Sequence, residues 1–285
     1  MLSNKESEFK TGMPLAPTYD GVARQTEPLL QFKNVSLKYA RSSEFAAEDL
    51  SLTVAAGEFI AIVGPSGCGK STFMKLASGL RLPTLGNVYL DGVELTGPAK
   101  GVGMAFQAST LLPWRTTLEN VVLPFEIVEP FRHDYRSKKP IYRDKARALI
   151  AAVGLKDFET KLPRELSGGM QQRASICRAL VHEPRLLLLD EPFAALDAFT
   201  REELWCVLRD LWIERKFTVV LVTHDLREAS FLANTVYVMS GRPGRIAGCQ
   251  KIVLPQPRSL DVTYTAEFAD TVHELRSYID HTRTS

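Results

Sequence analysis

Short, almost wholly apolar runs alternate with amphipathic stretches along most of the chain. Phe59-Ile60-Ala61-Ile62-Val63, Leu186-Leu187-Leu188-Leu189 and Thr218 to Val222 are such runs. They predict strands covered on both faces, because a half-exposed strand would carry a polar residue at every second position. Leu29 to Tyr39 and Leu50 to Val54 do alternate, which predicts half-buried antiparallel edge strands, with Ala56-Gly57-Glu58 turning into the next strand. Helical spacing returns at Ser71 to Leu80, Tyr142 to Val153, Arg201 to Glu214 and Leu226 to Ala233. Buried strands separated by helices predict an α/β sheet with crossover connections.

The same pattern divides the chain. Residues 1–27 are polar, broken by Pro14 and Pro17, and read as a flexible leader. Residues 28–254 read as one domain with a helical subdomain at about 108–180, where strand signals are few. Residues 255–285 form a tail in which Phe268, Val272, Leu275 and Ile279 share one face of a packed helix. The basic segment Glu129 to Pro140 is expected to be a solvated loop, with contact to a permease or to lipid head groups as its alternative.

Composition narrows the function more than the fold. With a net charge of +2 over 285 residues, no single-sign field marks a nucleic-acid partner. Cys68, Cys177, Cys206 and Cys249 lie far apart with no Cys-x-x-Cys pair, which speaks for free thiols rather than a zinc site. The start lacks a secretory pattern, and no apolar run approaches the roughly 20 residues of a membrane-spanning helix, so a cytoplasmic protein is expected, peripheral if it serves a membrane.

Three constellations carry chemistry. Gly64-Pro65-Ser66-Gly67-Cys68-Gly69-Lys70-Ser71 fits the phosphate-loop pattern and falls between a buried strand and a helix, as the mechanism requires. Glycines let backbone N–H groups turn onto phosphate oxygens, the helix start adds its dipole, Lys70 supplies a point charge and Ser71 a magnesium ligand, with Thr72 next to it. Asp190 and Glu191 end the Leu186 strand, where parallel sheets present their ligand-binding edge. Asp190 suits magnesium and Glu191 a general base, although an acidic pair after a strand also serves as a helix cap. Ser167-Gly168-Gly169 opens a further helix, a second anion-binding terminus without a lysine.

Together these motifs, in this order, resemble the ATP-binding cassettes of the ABC family over about residues 29 to 250. The resemblance implies a P-loop NTPase fold of mostly parallel core sheet, antiparallel β subdomain and helical subdomain, and a Mg2+-dependent ATPase that works as a homodimer. It implies that Tyr39 stacks on adenine, although a strand aromatic packed on the sheet fits that position too. It implies that Gln107 senses magnesium and water, that Asp197 of Ala195-Leu196-Asp197 crosses to the other subunit, and that His224 contacts the γ-phosphate. Ser167, Gly168 and Gly169 would complete the partner's site. Met170 departs from the glutamine usual there, which bears on dimer affinity. The segments Leu111 to Arg115, Phe193 to Arg201 and Met239 to Ile246 are similar to importer ATPases for nitrate, taurine and aliphatic sulfonates. That likeness implies permease partners, an indirect solute-binding protein and a place on the cytoplasmic face of the membrane. Other solutes, such as cyanate or a pyrimidine precursor, and a soluble non-transport ABC ATPase are the alternatives. Trp114 fits either an exposed permease contact or a core position.

Overall fold

The computed structural model describes residues 28–40 and 42–284, with side chains to residue 281, so the leader lies outside the described residues. The elements begin with β1 (Leu30–Lys38), β2 (Phe45–Val54), β3 (Phe59–Val63), α1 (Lys70–Ala77), β4 (Leu85–Leu90), β5 (Val93–Glu94) and β6 (Val102–Ala105). There follow α2 (Thr117–Ile127), α3 (Phe131–Ala152), α4 (Gly168–Leu180), β7 (Leu186–Asp190), α5 (Ala198–Arg215) and β8 (Thr218–Val222). The chain ends with α6 (Leu226–Leu232), β9 (Thr235–Met239), β10 (Ile246–Lys251) and α7 (Ala266–Thr284).

One sheet has the order β10-β9-β3-β8-β7-β6, parallel except for the antiparallel edge strand β10. The apolar runs are its centre, and their alternation supplies two separate cores. Phe59, Ala61, Val63, Leu187, Leu189, Val219 and Leu221 face one core with the helices α2 to α6. Ile60, Ile62, Leu186, Leu188, Val220 and Val222 face the other, with α1 and the second sheet. Each fully buried side chain of this size stabilises the fold by about 1.5–3 kcal/mol, which is why no polar residue interrupts these strands.

The second sheet, β2-β1-β4-β5, is antiparallel and puts the alternating segments at its centre and edge. Phe32 of β1 stacks on Phe73 of α1 with ring centroids 4.6 Å apart, fixing this sheet against the helix that follows the phosphate loop.

The basic segment at 129–140 is helical, not a loop, since α3 runs through it from Phe131. Three aromatic positions hold it. Phe131 and Tyr142 pack on Phe125 of α2, and Tyr135 lies parallel to Tyr142. Asp134 then accepts from Lys138 at 2.6 Å and from the Tyr142 hydroxyl at 2.5 Å. The sequence pattern shows so few apolar positions because the remaining face is solvated.

In the tail, Phe268 and Leu275 of α7 are buried in the helix-side core. Arg258 anchors its entrance. The guanidinium is buried and donates to the carbonyls of Phe231 and Ala233 at 2.9 and 2.7 Å, where α6 ends, and to those of Ile252 and Leu254. Four carbonyl dipoles solvate the charge in place of a carboxylate, and burial still pushes its pKa down to about 10.

Candidate functional site

The phosphate loop leaves β3 at the middle of the parallel sheet and feeds α1. Gly67 and Gly69 have φ of 78° and 102°, backbone that a side chain resists. Gly69 is the N-cap of α1 and has no side chain to offer the helix, so the first-turn N–H groups point into the cradle. Lys70 is buried and donates to the carbonyls of Gly64 and Pro65 at 2.8 and 3.0 Å, which keeps its ammonium on the loop. Ser71 and Thr72 follow on α1, and the Tyr39 hydroxyl lies 3.3 Å from Thr72 Oγ1, so Tyr39 stands at the rim of the same cradle. Cys68 is buried inside the loop, and burial raises its thiol pKa against the pull of Lys70.

Two strands along the sheet, β7 delivers Asp190 and Glu191. Burial is the main cause of the raised Asp190 pKa, and the neighbouring Glu191 carboxylate adds to it while Lys70 opposes. Glu191 has φ of 47°, a conformation costing a non-glycine residue of order 1 kcal/mol. Its N–H donates to Val222 at 2.8 Å, so pairing to β8 holds the strained turn. Its carboxylate lies 3.2 Å from Nδ1 of His224, which leaves the end of β8. Two carboxylates and an imidazole thus converge beside Lys70 at the carboxyl edge of the sheet.

Gln107 sits two residues past β6, the strand paired to β7, on an exposed turn. Ser167 caps α4, its Oγ accepting from the Met170 N–H at 3.3 Å, while Ser167 and Gly168 are exposed. Gly169 is buried, and a Cβ there would strike Thr200 of α5. Asp197 caps α5 by accepting from Thr200, and that bond lowers its pKa. The starts of α4 and α5 therefore lie side by side, each offering a capped N-terminus to solvent.

Trp114 is 73% exposed, which settles its two readings in favour of a surface position. Arg242 is the residue that site reasoning missed. Its Nε donates to the Gly67 carbonyl at 3.0 Å from the loop between β9 and β10. The stretch Met239 to Ile246 shows a likeness to importer ATPases in its sequence, but a loop distant in sequence gives no sign of folding against the phosphate loop.

Among the described residues no group of three or more His, Cys, Asp or Glu side chains could hold a metal. Magnesium is usually bound by one or two protein oxygens, phosphates and water, and Ser71 with Asp190 is a donor set of that kind. A cation would also offset the burial and like-charge repulsion that raise the Asp190 pKa.

The ABC transporter family profile matches residues 47–194. The chain is 47% identical over 212 residues to the aliphatic sulfonates import ATP-binding protein SsuB of Bacillus licheniformis, covering 74% of this chain and 79% of that one. To the protein of the same name in Bacillus subtilis it is 44% identical, with the same coverage. Among solved structures it superposes on a dimeric ATP-binding cassette, MJ0796, bound to ADP and Pi, with a TM-score of 0.67 and 31% identity over 79% of this chain and all of that one. With the phosphate loop, the acidic strand end and the capped glycine helix in one cassette fold, the chain belongs to the ABC transporter family, as a nucleotide-binding ATPase that resembles the sulfonate, nitrate and taurine importer subunits.

Proposed function

We propose that this chain is the Mg2+-dependent ATPase subunit of an importer for a small anionic solute, an aliphatic sulfonate in the first place, acting on the cytoplasmic face of the membrane. The observation that carries the ATPase chemistry is the convergence of Lys70, Asp190, Glu191 and His224 at neighbouring strand ends. The names of the relatives support the solute class, and taurine or nitrate is the competing cargo. No described helix is long and apolar enough to cross a membrane, so the permease is a separate set of chains in this reading.

Each residue's task follows from its place. The loop N–H groups and Lys70 hold the β- and γ-phosphates, and Tyr39 borders the base. Ser71 and Asp190 would hold Mg2+, with Gln107 near it, and the ion supplies charge neutralisation of the phosphates when bound. Glu191 orients and deprotonates the attacking water, and His224 steadies the Glu191 carboxylate and faces the γ-phosphate. Ser167, Gly168 and Asp197 stand exposed at two helix starts, with Gly169 buried beside them, and these helix starts donate N–H groups to a second copy's nucleotide, so two chains close on two ATP molecules. Opening and closing then move the permease helices seated near Gln107 and Trp114.

The deciding experiment compares Mg-ATP hydrolysis by the wild type and Glu191→Gln while light scattering follows dimerisation. Loss of turnover with an ATP-trapped dimer supports the reading. Normal turnover in the variant, or no dimer in either protein, overturns it.

A further inference from the structure

Arg201, in the first turn of α5, joins two loops with separate tasks. Its Nη2 donates to the Leu196 carbonyl at 3.0 Å, in the loop that ends in Asp197. Its Nη1 donates to Asp225 Oδ2 at 3.3 Å, in the loop that begins with His224. Asp225 is itself fixed, since Oδ1 caps α6 by accepting from the Arg227 and Glu228 N–H groups. Behind it, the Thr223 hydroxyl donates to Glu228 at 2.5 Å and accepts from the Asp225 N–H at 3.0 Å. The Glu228 carboxylate is only 3% exposed and lies 4.0 Å from Arg201 Nε. That Nε is buried with no hydrogen-bond partner.

A guanidinium is planar, so its two donors set a fixed distance between the groups they bind. When the Asp197 loop moves, Arg201 must either carry the His224 loop with it or lose one of these bonds. We infer that Arg201 is a positioning residue that makes the seating of His224 against Glu191 depend on the conformation of the Asp197 loop. The inference rests on the proposed ATPase site and adds the link by which docking of a second copy onto Asp197 reaches the catalytic carboxylate. Arg201 touches neither the phosphate loop nor Tyr39, so nucleotide affinity should not depend on it.

The test is a double-mutant cycle on the full chain, measuring kcat and KM for Mg-ATP in the wild type, Arg201→Lys, His224→Ala and the pair. Arg201→Lys keeps the charge and loses the fork, and it is expected to lower kcat at least about tenfold with KM changed less than about twofold. Combined with His224→Ala it should add nothing further, because the effect passes through that histidine. Asp225→Asn keeps the helix cap and weakens the Arg201 bond, and it should reproduce the kcat loss if Arg201→Lys folds poorly. Additive losses, an unchanged kcat in Arg201→Lys or a rise in KM alone overturn the inference. A wild-type rate in His224→Ala overturns the ATPase-site reading and this inference together, and is distinguishable because it appears in the single variant.

Discussion

Arg242 Nε is bonded to the Gly67 carbonyl at 3.0 Å, so a residue from the loop between β9 and β10 fixes one peptide of the phosphate loop. A trans peptide points its carbonyl and N–H in opposite directions, and tying the Gly67 oxygen to Arg242 directs the Cys68 N–H back over the loop, where it lies 3.3 Å from Pro65 O. Arg242→Gln should therefore weaken binding of ADP and ATP about fivefold with little change in kcat. Isothermal titration with both nucleotides measures this, and equal affinity in the variant contradicts it.

The same loop presses on the phosphate loop through Gly244, where an added Cβ would collide with the Cys68 carbonyl oxygen. The oxygen belongs to backbone and a Cβ has no torsion of its own to turn it aside, so neither yields as the end of a flexible side chain does. Gly244→Ala is expected to displace the loop and weaken nucleotide binding by at least about tenfold, or roughly 1.4 kcal/mol. Fluorescent-nucleotide titration checks it beside Gly241→Ala, whose Cβ meets open space.

Glu228 gives stability a pH dependence of known sign. Burial raises its pKa to about 7, Asp225 and Glu191 contribute in the same direction, and the Thr223 hydroxyl and Arg201 oppose. The folded protein then binds a proton that the unfolded chain releases near pH 4.5, so this group's contribution is most favourable below pH 4.5 and is lost as pH rises through 7. The loss amounts to about 3 kcal/mol. Glu228→Gln, which copies the protonated shape, should flatten urea-unfolding stability between pH 5 and 8, and an unchanged slope would count against the assignment.

Arg258→Met should leave buried carbonyls at the end of α6 without donors. A cost of at least about 3 kcal/mol is expected, seen as a lower urea midpoint. Lysine at this position supplies charge but cannot span the carbonyls of both Phe231 and Ile252, so it should recover only part of the loss.

Trp114→Ala is expected to change stability by less than about 0.5 kcal/mol, because the indole is 73% exposed. ATP hydrolysis by the isolated chain should likewise stay at the wild-type rate. Coupling is where the change should appear, as weaker co-purification with the permease chains or loss of transport-stimulated hydrolysis. A strong loss of stability would instead place this ring in a packing role.

The parallel sheet and the residues at its carboxyl edge were legible because their chemistry is local. A doubly buried strand must be continuously apolar, and a phosphate loop needs its glycines, lysine and serine in consecutive positions. Less could be read where contacts join distant segments. Nothing near Arg242 announces Gly67, which is 175 residues away, nor does the sequence around Arg201 disclose that it faces both Leu196 and Asp225. The helix at 131–152 was half hidden for a different reason, since its first turns are held by three aromatic rings and an aspartate among solvated cations rather than by an apolar stripe. Strand β4 went unremarked because its short, mixed pattern draws its meaning from the neighbour it pairs with.

The order β3-β8-β7 has a consequence for what this edge can grip. Neighbouring strands are spaced by about 4.8 Å, so the loop after β3 and the carboxylates after β7 are held roughly 10 Å apart by the width of β8. The sheet acts as a ruler set by hydrogen bonds in its backbone, and side-chain exchange at the rim cannot alter its span. On the proposed ATPase reading, a chain of phosphates laid across that span would reach from the lysine toward the carboxylates, past the histidine that follows the intervening strand.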